Sequence, residues 1–194
     1  EIYQGVQQMI GRLPTTLEVA GKNMEVRTDF RDILVIMQAF NDPELLPEEK
    51  YEVMLEILFM TPEEIPEGAY QEAVRQALWF LDCGQEVDDK KPPRKVMDWE
   101  QDEPILFPAI NKVAGREVRA VEYMHWWTFM GYFMEIEDGT FSMVIGIRQK
   151  RARGKNLEKW EKEFYQANKA MCDIKTKYTA EEQEEIDYWN KLLG

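Results

Sequence analysis

The sequence predicts a mainly helical fold carrying one short β-hairpin near its N-terminus. Three observations lead there: apolar residues recur at helical spacing over most of the chain, one brief stretch alternates with period two, and several helix starts carry capping signals.

Leu17-Glu18-Val19 and Met24-Glu25-Val26 alternate apolar and polar residues around Ala20-Gly21-Lys22-Asn23, which reads as the hairpin and its loop. Behind Thr28-Asp29 the period changes, and Phe30, Ile33, Leu34, Met37 and Phe40 predict a helix over about Phe30 to Phe40. Pro47-Glu48-Glu49 places a proline and two acids in a first turn ahead of the stripe Tyr51, Met54, Leu55, Leu58 and Phe59. Thr61-Pro62-Glu63-Glu64 has the form of a capping box, but Pro66 stops it after one turn. A longer helix from Glu67 to Asp82 then ends before Gly84, and it is expected to lie antiparallel to its predecessor. Further helices are expected over about Asp102 to Val113, Val121 to Glu137, Thr140 to Arg153, Leu157 to Ile174 and Ala180 to Leu193. The last follows the capping box Thr179-Ala180-Glu181-Glu182.

From Gln85 to Pro93 charged residues and two prolines leave almost no apolar content, as in an exposed linker. The expected organisation is therefore residues 1–84 as hairpin plus helices, 85–97 as linker and 98–194 as a C-terminal helical region, all packed as one compact unit. No repeat or low-complexity tract interrupts this plan.

A hydrophobic content of 44% in 194 residues suffices for a core, so the chain is expected to fold rather than remain disordered. Twenty-four basic against thirty-seven acidic residues give a net charge of -13, which repels phosphate backbones and anionic lipid surfaces. Nucleic acid and membranes are thus not expected as partners. Cys83 and Cys172, the only two cysteines, are expected to be buried and reduced, in keeping with a reducing compartment. Glu1-Ile2-Tyr3-Gln4-Gly5 lacks the charged-then-apolar pattern of a leader, so neither secretion nor anchoring is expected.

Candidate chemistry is sparse. His125 is the sole histidine, which excludes a two-histidine metal site, and it is expected on one helical face with Phe129 and Phe133, satisfied by a backbone carbonyl. Asp98, Glu100, Asp102 and Glu103 around Trp99 read as acids complementing a helix N-terminus. Gly-rich phosphate loops are missing. No catalytic, cofactor-binding or metal-binding residue is assigned, no cofactor is expected, and the chain is not expected to be an enzyme. Arg148, Lys150, Arg151, Arg153 and Lys155 form the one dense basic patch, which fits either a solvated helix end or docking of an acidic segment. Trp126, Phe129, Met130, Phe133 and Ile136 make a core stripe, as do Trp160, Phe164 and Met171; some of Tyr165, Tyr188 and Trp189 are expected to stay exposed. The candidate protein-contact residues are Trp126, Trp127, Arg148, Arg151 and Arg153.

Three segments, Asp98-Trp99-Glu100-Gln101-Asp102, His125-Trp126-Trp127-Thr128-Phe129 and Ile145-Gly146-Ile147-Arg148, occur in an order that resembles the gene-fifteen-type tail proteins of long-tailed phages and prophages of Gram-positive bacteria. The N-terminal half, with Asp29-Phe30-Arg31, is similar too, whereas Ala114 to Ala120 departs from the tyrosine-glycine turn of that family. In such phages the gene lies between those of the tail-tube and tape-measure proteins. The resemblance implies a tail assembly chaperone that self-associates as a homo-oligomer, binds the tape-measure protein and recruits the tail-tube protein in the cytoplasm of an infected or lysogenic host. A structural component of the tail, or another phage-encoded interaction module, is the alternative.

Overall fold

The computed structural model describes residues 10–85 and 95–193, so most of the expected linker lies outside the described residues. Thr16–Val19 (β1) pairs antiparallel with Lys22–Glu25 (β2), with Leu17 opposite Met24. Period-two alternation puts Leu17, Val19 and Met24 on one face, and all three are buried. The strand direction continues past β2: Met60 N–H donates to Glu25 O at 3.0 Å and Arg27 N–H to Leu58 O at 2.7 Å. The hairpin is thereby tied to the chain that leaves the second helix.

The helices are Phe30–Phe40 (α1), Pro47–Leu58 (α2), Tyr70–Leu81 (α3), Glu103–Ala114 (α4), Trp126–Met134 (α5), Thr140–Ala152 (α6), Lys159–Ala167 (α7), Lys169–Cys172 (α8) and Ala180–Leu193 (α9). The mainly helical expectation with an N-terminal hairpin is met. Asp29 caps α1, its carboxylate accepting from Arg31 N–H at 3.0 Å, as its position before the apolar stripe requires. Proline at the start of α2 and of α4 removes a donor that would have no helical acceptor.

Several boundaries differ from expectation. Thr61 makes no side-chain cap, and Pro62–Glu64 is a single 3-10 turn, after which Pro66 and a left-handed Gly68 (φ 83°) delay α3 to Tyr70. The expected helix from Val121 starts instead at Trp126, because the preceding chain is extended and bridges to α1: Phe30 N–H donates to Met124 O at 3.0 Å and Trp126 N–H to Thr28 O at 2.7 Å. The helix expected from Leu157 to Ile174 breaks at Asn168 into α7 and α8. Between α4 and α5, Gly115 closes α4 in the left-handed region and Val118–Ala120 forms a 3-10 turn.

One main cluster of buried residues draws on both sides of the expected linker, from Leu17 and Val19 of the hairpin to Phe129 of α5 and Phe141 of α6. Phe129 is its centre: it stacks on Phe30 at 4.5 Å and on Trp126 at 5.7 Å, with Phe107 and Trp99 at 6.0 and 6.4 Å. Val144, Ile147 and Cys172 make a small second cluster between α6 and α8. Among the described residues no helix is long and apolar enough to cross a membrane.

Candidate functional site

The HWWTF segment is built into the fold from both ends. His125 lies ahead of α5 as its N-cap rather than on a helical face: its Nδ1 accepts from Trp127 N–H at 3.0 Å, while its Nε2 lies 2.9 Å from Pro14 O. The ring is therefore the neutral tautomer with its proton on Nε2, and both nitrogens are engaged. Burial pushes its pKa down, and the Pro14 hydrogen bond only partly opposes this. Trp126 Nε1–H donates to Leu81 O at 2.9 Å and Trp127 Nε1–H to Phe80 O at 2.8 Å, so both indoles hold the carbonyls that end α3. Trp126 is 1% exposed and thus not available to a partner, contrary to the sequence expectation. Trp127 is half-buried, packed edge-on to Trp79 at 5.5 Å.

The DWEQD and IGIR segments meet in the interior. Arg148 faces Asp102 in a two-pronged ion pair, Nη1–Oδ2 2.7 Å and Nη2–Oδ1 2.8 Å, with both side chains almost fully buried. The remaining guanidinium donors reach Cys172 O at 2.9 Å, Val96 O at 3.1 Å and Met171 O at 2.6 Å. Asp102 also accepts from Asp98 N–H, and Asp98 caps the following turn through Glu100 and Gln101 N–H, each at 3.0 Å. Two sequence expectations are corrected here. Arg148 is not a surface contact, and Asp102 does more than complement a helix end. A cation on α6 whose side chain points inward is invisible in a linear basic run, because the run does not reveal which residue faces α4.

The rest of the basic run divides. Lys150 pairs with Glu161 at 2.7 Å, and Arg151 pairs with Asp173 at 2.5 Å while lying over the Tyr165 ring at 4.3 Å. Arg151 and Arg153 remain exposed at the surface. Both cysteines are free; Cys172 is buried, and burial, then the Asp82 carboxylate, pushes the Cys83 thiol up to about 11.

Two open grooves stand out. The first, about 290 Å³, lies between α1 and α4 and has Phe30, Leu34, Val35 and Phe107 on its walls, with Arg31, Arg119, Glu100 and Glu103 around it. Val35 is 48% exposed within it. Sequence reasoning missed Val35, although five consecutive apolar residues from Ile33 to Met37 exceed what one buried face can use. The second groove, about 530 Å³, lies between α2 and the corner before α3. Separately, α9 carries Tyr188, Trp189 and Leu192 in exposed positions. Among the described residues no three His, Cys, Asp or Glu side chains gather closely enough to hold a metal ion.

Fold and surface together define a class: a hairpin-bearing helical domain whose DWEQD, HWWTF and IGIR segments form its internal joints and whose accessible features are open apolar grooves. The chain belongs to the family described as Bacteriophage Gp15 protein, whose model matches residues 9–174. That membership makes it a bacteriophage protein and suggests a structural or assembly role. No curated protein and no solved structure matches.

Proposed function

We propose that this chain is a tail assembly chaperone, which binds the tape-measure protein and recruits tail-tube subunits in the host cytoplasm and needs no catalysis to do so. Family membership supports a phage assembly role, and the observation that carries the binding step is the α1–α4 groove. Its apolar walls are open, and charges of both signs surround it, as suits transient cover for apolar stripes on a long helical partner. Such cover must be displaced when tube subunits arrive, so affinity per copy is modest and is spread over many self-associated copies. Exposed Arg151 and Arg153 are candidate additional contacts.

The test is co-expression with the tape-measure protein. The expected result is a soluble complex, lost with Val35→Asp, which leaves the fold intact because Val35 is about half exposed. A tape-measure protein that stays insoluble, with nothing co-purifying, ends this reading. Mass spectrometry of purified particles separates it from a structural tail component, since a chaperone is absent from the finished particle.

A further inference from the structure

The second groove differs from the first in charge. Its floor is apolar, made by Ile65 and Tyr70 over buried Leu55, and Tyr70 is 42% exposed. It exists because Pro66 and the left-handed Gly68 turn the chain away from α2 instead of continuing the 3-10 turn, which leaves a corner that no side chain fills. Around that floor stand Glu52 and Glu56, one turn apart on α2, with Glu63 and Glu67 across from them, and no lysine or arginine lines it. Burial, then the Glu52 and Glu48 carboxylates, raises the Tyr70 phenol pKa.

We propose that this groove docks a cationic amphipathic polypeptide segment of a partner protein, its apolar side chains on Ile65 and Tyr70 and its lysines or arginines against the four glutamates. A bare cation does not fit, because among the described residues no three carboxylates gather as a metal site requires. A second copy is the poorer occupant. The chain's own basic run is largely committed: Arg148 is buried on Asp102, Lys150 pairs with Glu161 and Arg151 with Asp173. The groove is separate from the α1–α4 surface, and its occupant does not depend on the chaperone reading.

The probe is a fluorescein-labelled amphipathic peptide of leucine and lysine, followed by anisotropy at low and physiological salt. Two variants carry the same change of charge: Glu52→Gln/Glu56→Gln/Glu63→Gln/Glu67→Gln in the groove, and Glu181→Gln/Glu182→Gln/Glu184→Gln/Glu185→Gln on α9. The groove variant is expected to bind about tenfold more weakly, the equivalent of about 1.4 kcal/mol, and the α9 variant nearly as well as wild type. Tyr70→Ala, at a site exposed enough to leave folding intact, is expected to weaken binding at both salts. Equal losses in the two glutamine variants reduce the effect to net charge and overturn the proposal, as does an unaffected Tyr70→Ala or no binding at all. Wild-type oligomers that dissociate in the groove variant, and on adding the peptide, assign the groove to a second copy instead and overturn it too.

Discussion

At Arg148 every guanidinium N–H has an acceptor, two on Asp102 and three on main-chain carbonyls of residues 96, 171 and 172. One side chain therefore joins α6, the start of α4, the segment before it and the end of α8. Removing it strands a buried carboxylate, so Arg148→Ala is expected to cost about 3–5 kcal/mol in urea unfolding. Paired replacement with Arg148→Met and Asp102→Leu is expected to recover much of that loss, because the desolvation of both charges disappears with them. A single variant as stable as wild type would show that the ion pair is not a joint. His125 sets a pH dependence. Its folded pKa lies below the ordinary 6.5, so the unfolded chain binds the proton more readily; stability is complete above 6.5 and falls as the pH drops through the window below it. Replacing it by His125→Asn, which keeps an N-cap acceptor, is expected to flatten that part of a melting-temperature profile.

Among the elements, the end of α3 depends on a glycine. Gly84 sits at φ 80°, and a Cβ placed there would stand 3.0 Å from Trp127 Cη2, an indole already held by its bond to Phe80 O. Gly21, in the hairpin loop at φ 74°, has nothing within 4 Å of such a Cβ. Both Gly→Ala changes incur left-handed strain of about 1–2 kcal/mol, and Gly84→Ala adds the displacement of Trp127, for about 1 kcal/mol more by chemical denaturation. Equal costs would mean that the indole yields freely. A cap made the start of α1 legible and a proline that of α2, each to within a residue or so, since those signals are local. The start of α5 was not legible, because a contact distant in sequence, Trp126 N–H on Thr28 O, holds the preceding chain extended.

For the whole molecule, α9 stands apart. It lies beyond the matched residues 9–174, and its residues from Ala180 to Leu192 are almost all exposed. Its first residue touches the body through Ala180 N–H on Glu44 Oε1 at 2.5 Å, while Gln101 holds the irregular segment before it at Asp173 and Lys175. Deleting residues 180–194 is therefore expected to shift the melting temperature by no more than about 2 °C, as measured by circular dichroism, because few buried contacts are lost. A larger drop would show that α9 packs in solution. The same deletion is not expected to affect the α1–α4 groove, so tape-measure binding provides an independent readout.

The sequence by itself determined the fold class, the place of the hairpin and most helix starts, since side-chain period and caps act over a few residues; the hairpin pairing was not among them, because Lys22 and Asn23, read as loop, lie in β2. It also carried the family through DWEQD, HWWTF and IGIR, although it could not say what those segments do. Only the tertiary structure decided that Arg148 faces Asp102, that Trp126 and Trp127 end α3, and that Val35 opens into a groove. The reason is physical: whether a charge or an indole is surface or joint depends on which neighbour lies across from it. That neighbour is 46 residues away for Arg148 and 45 for Trp126.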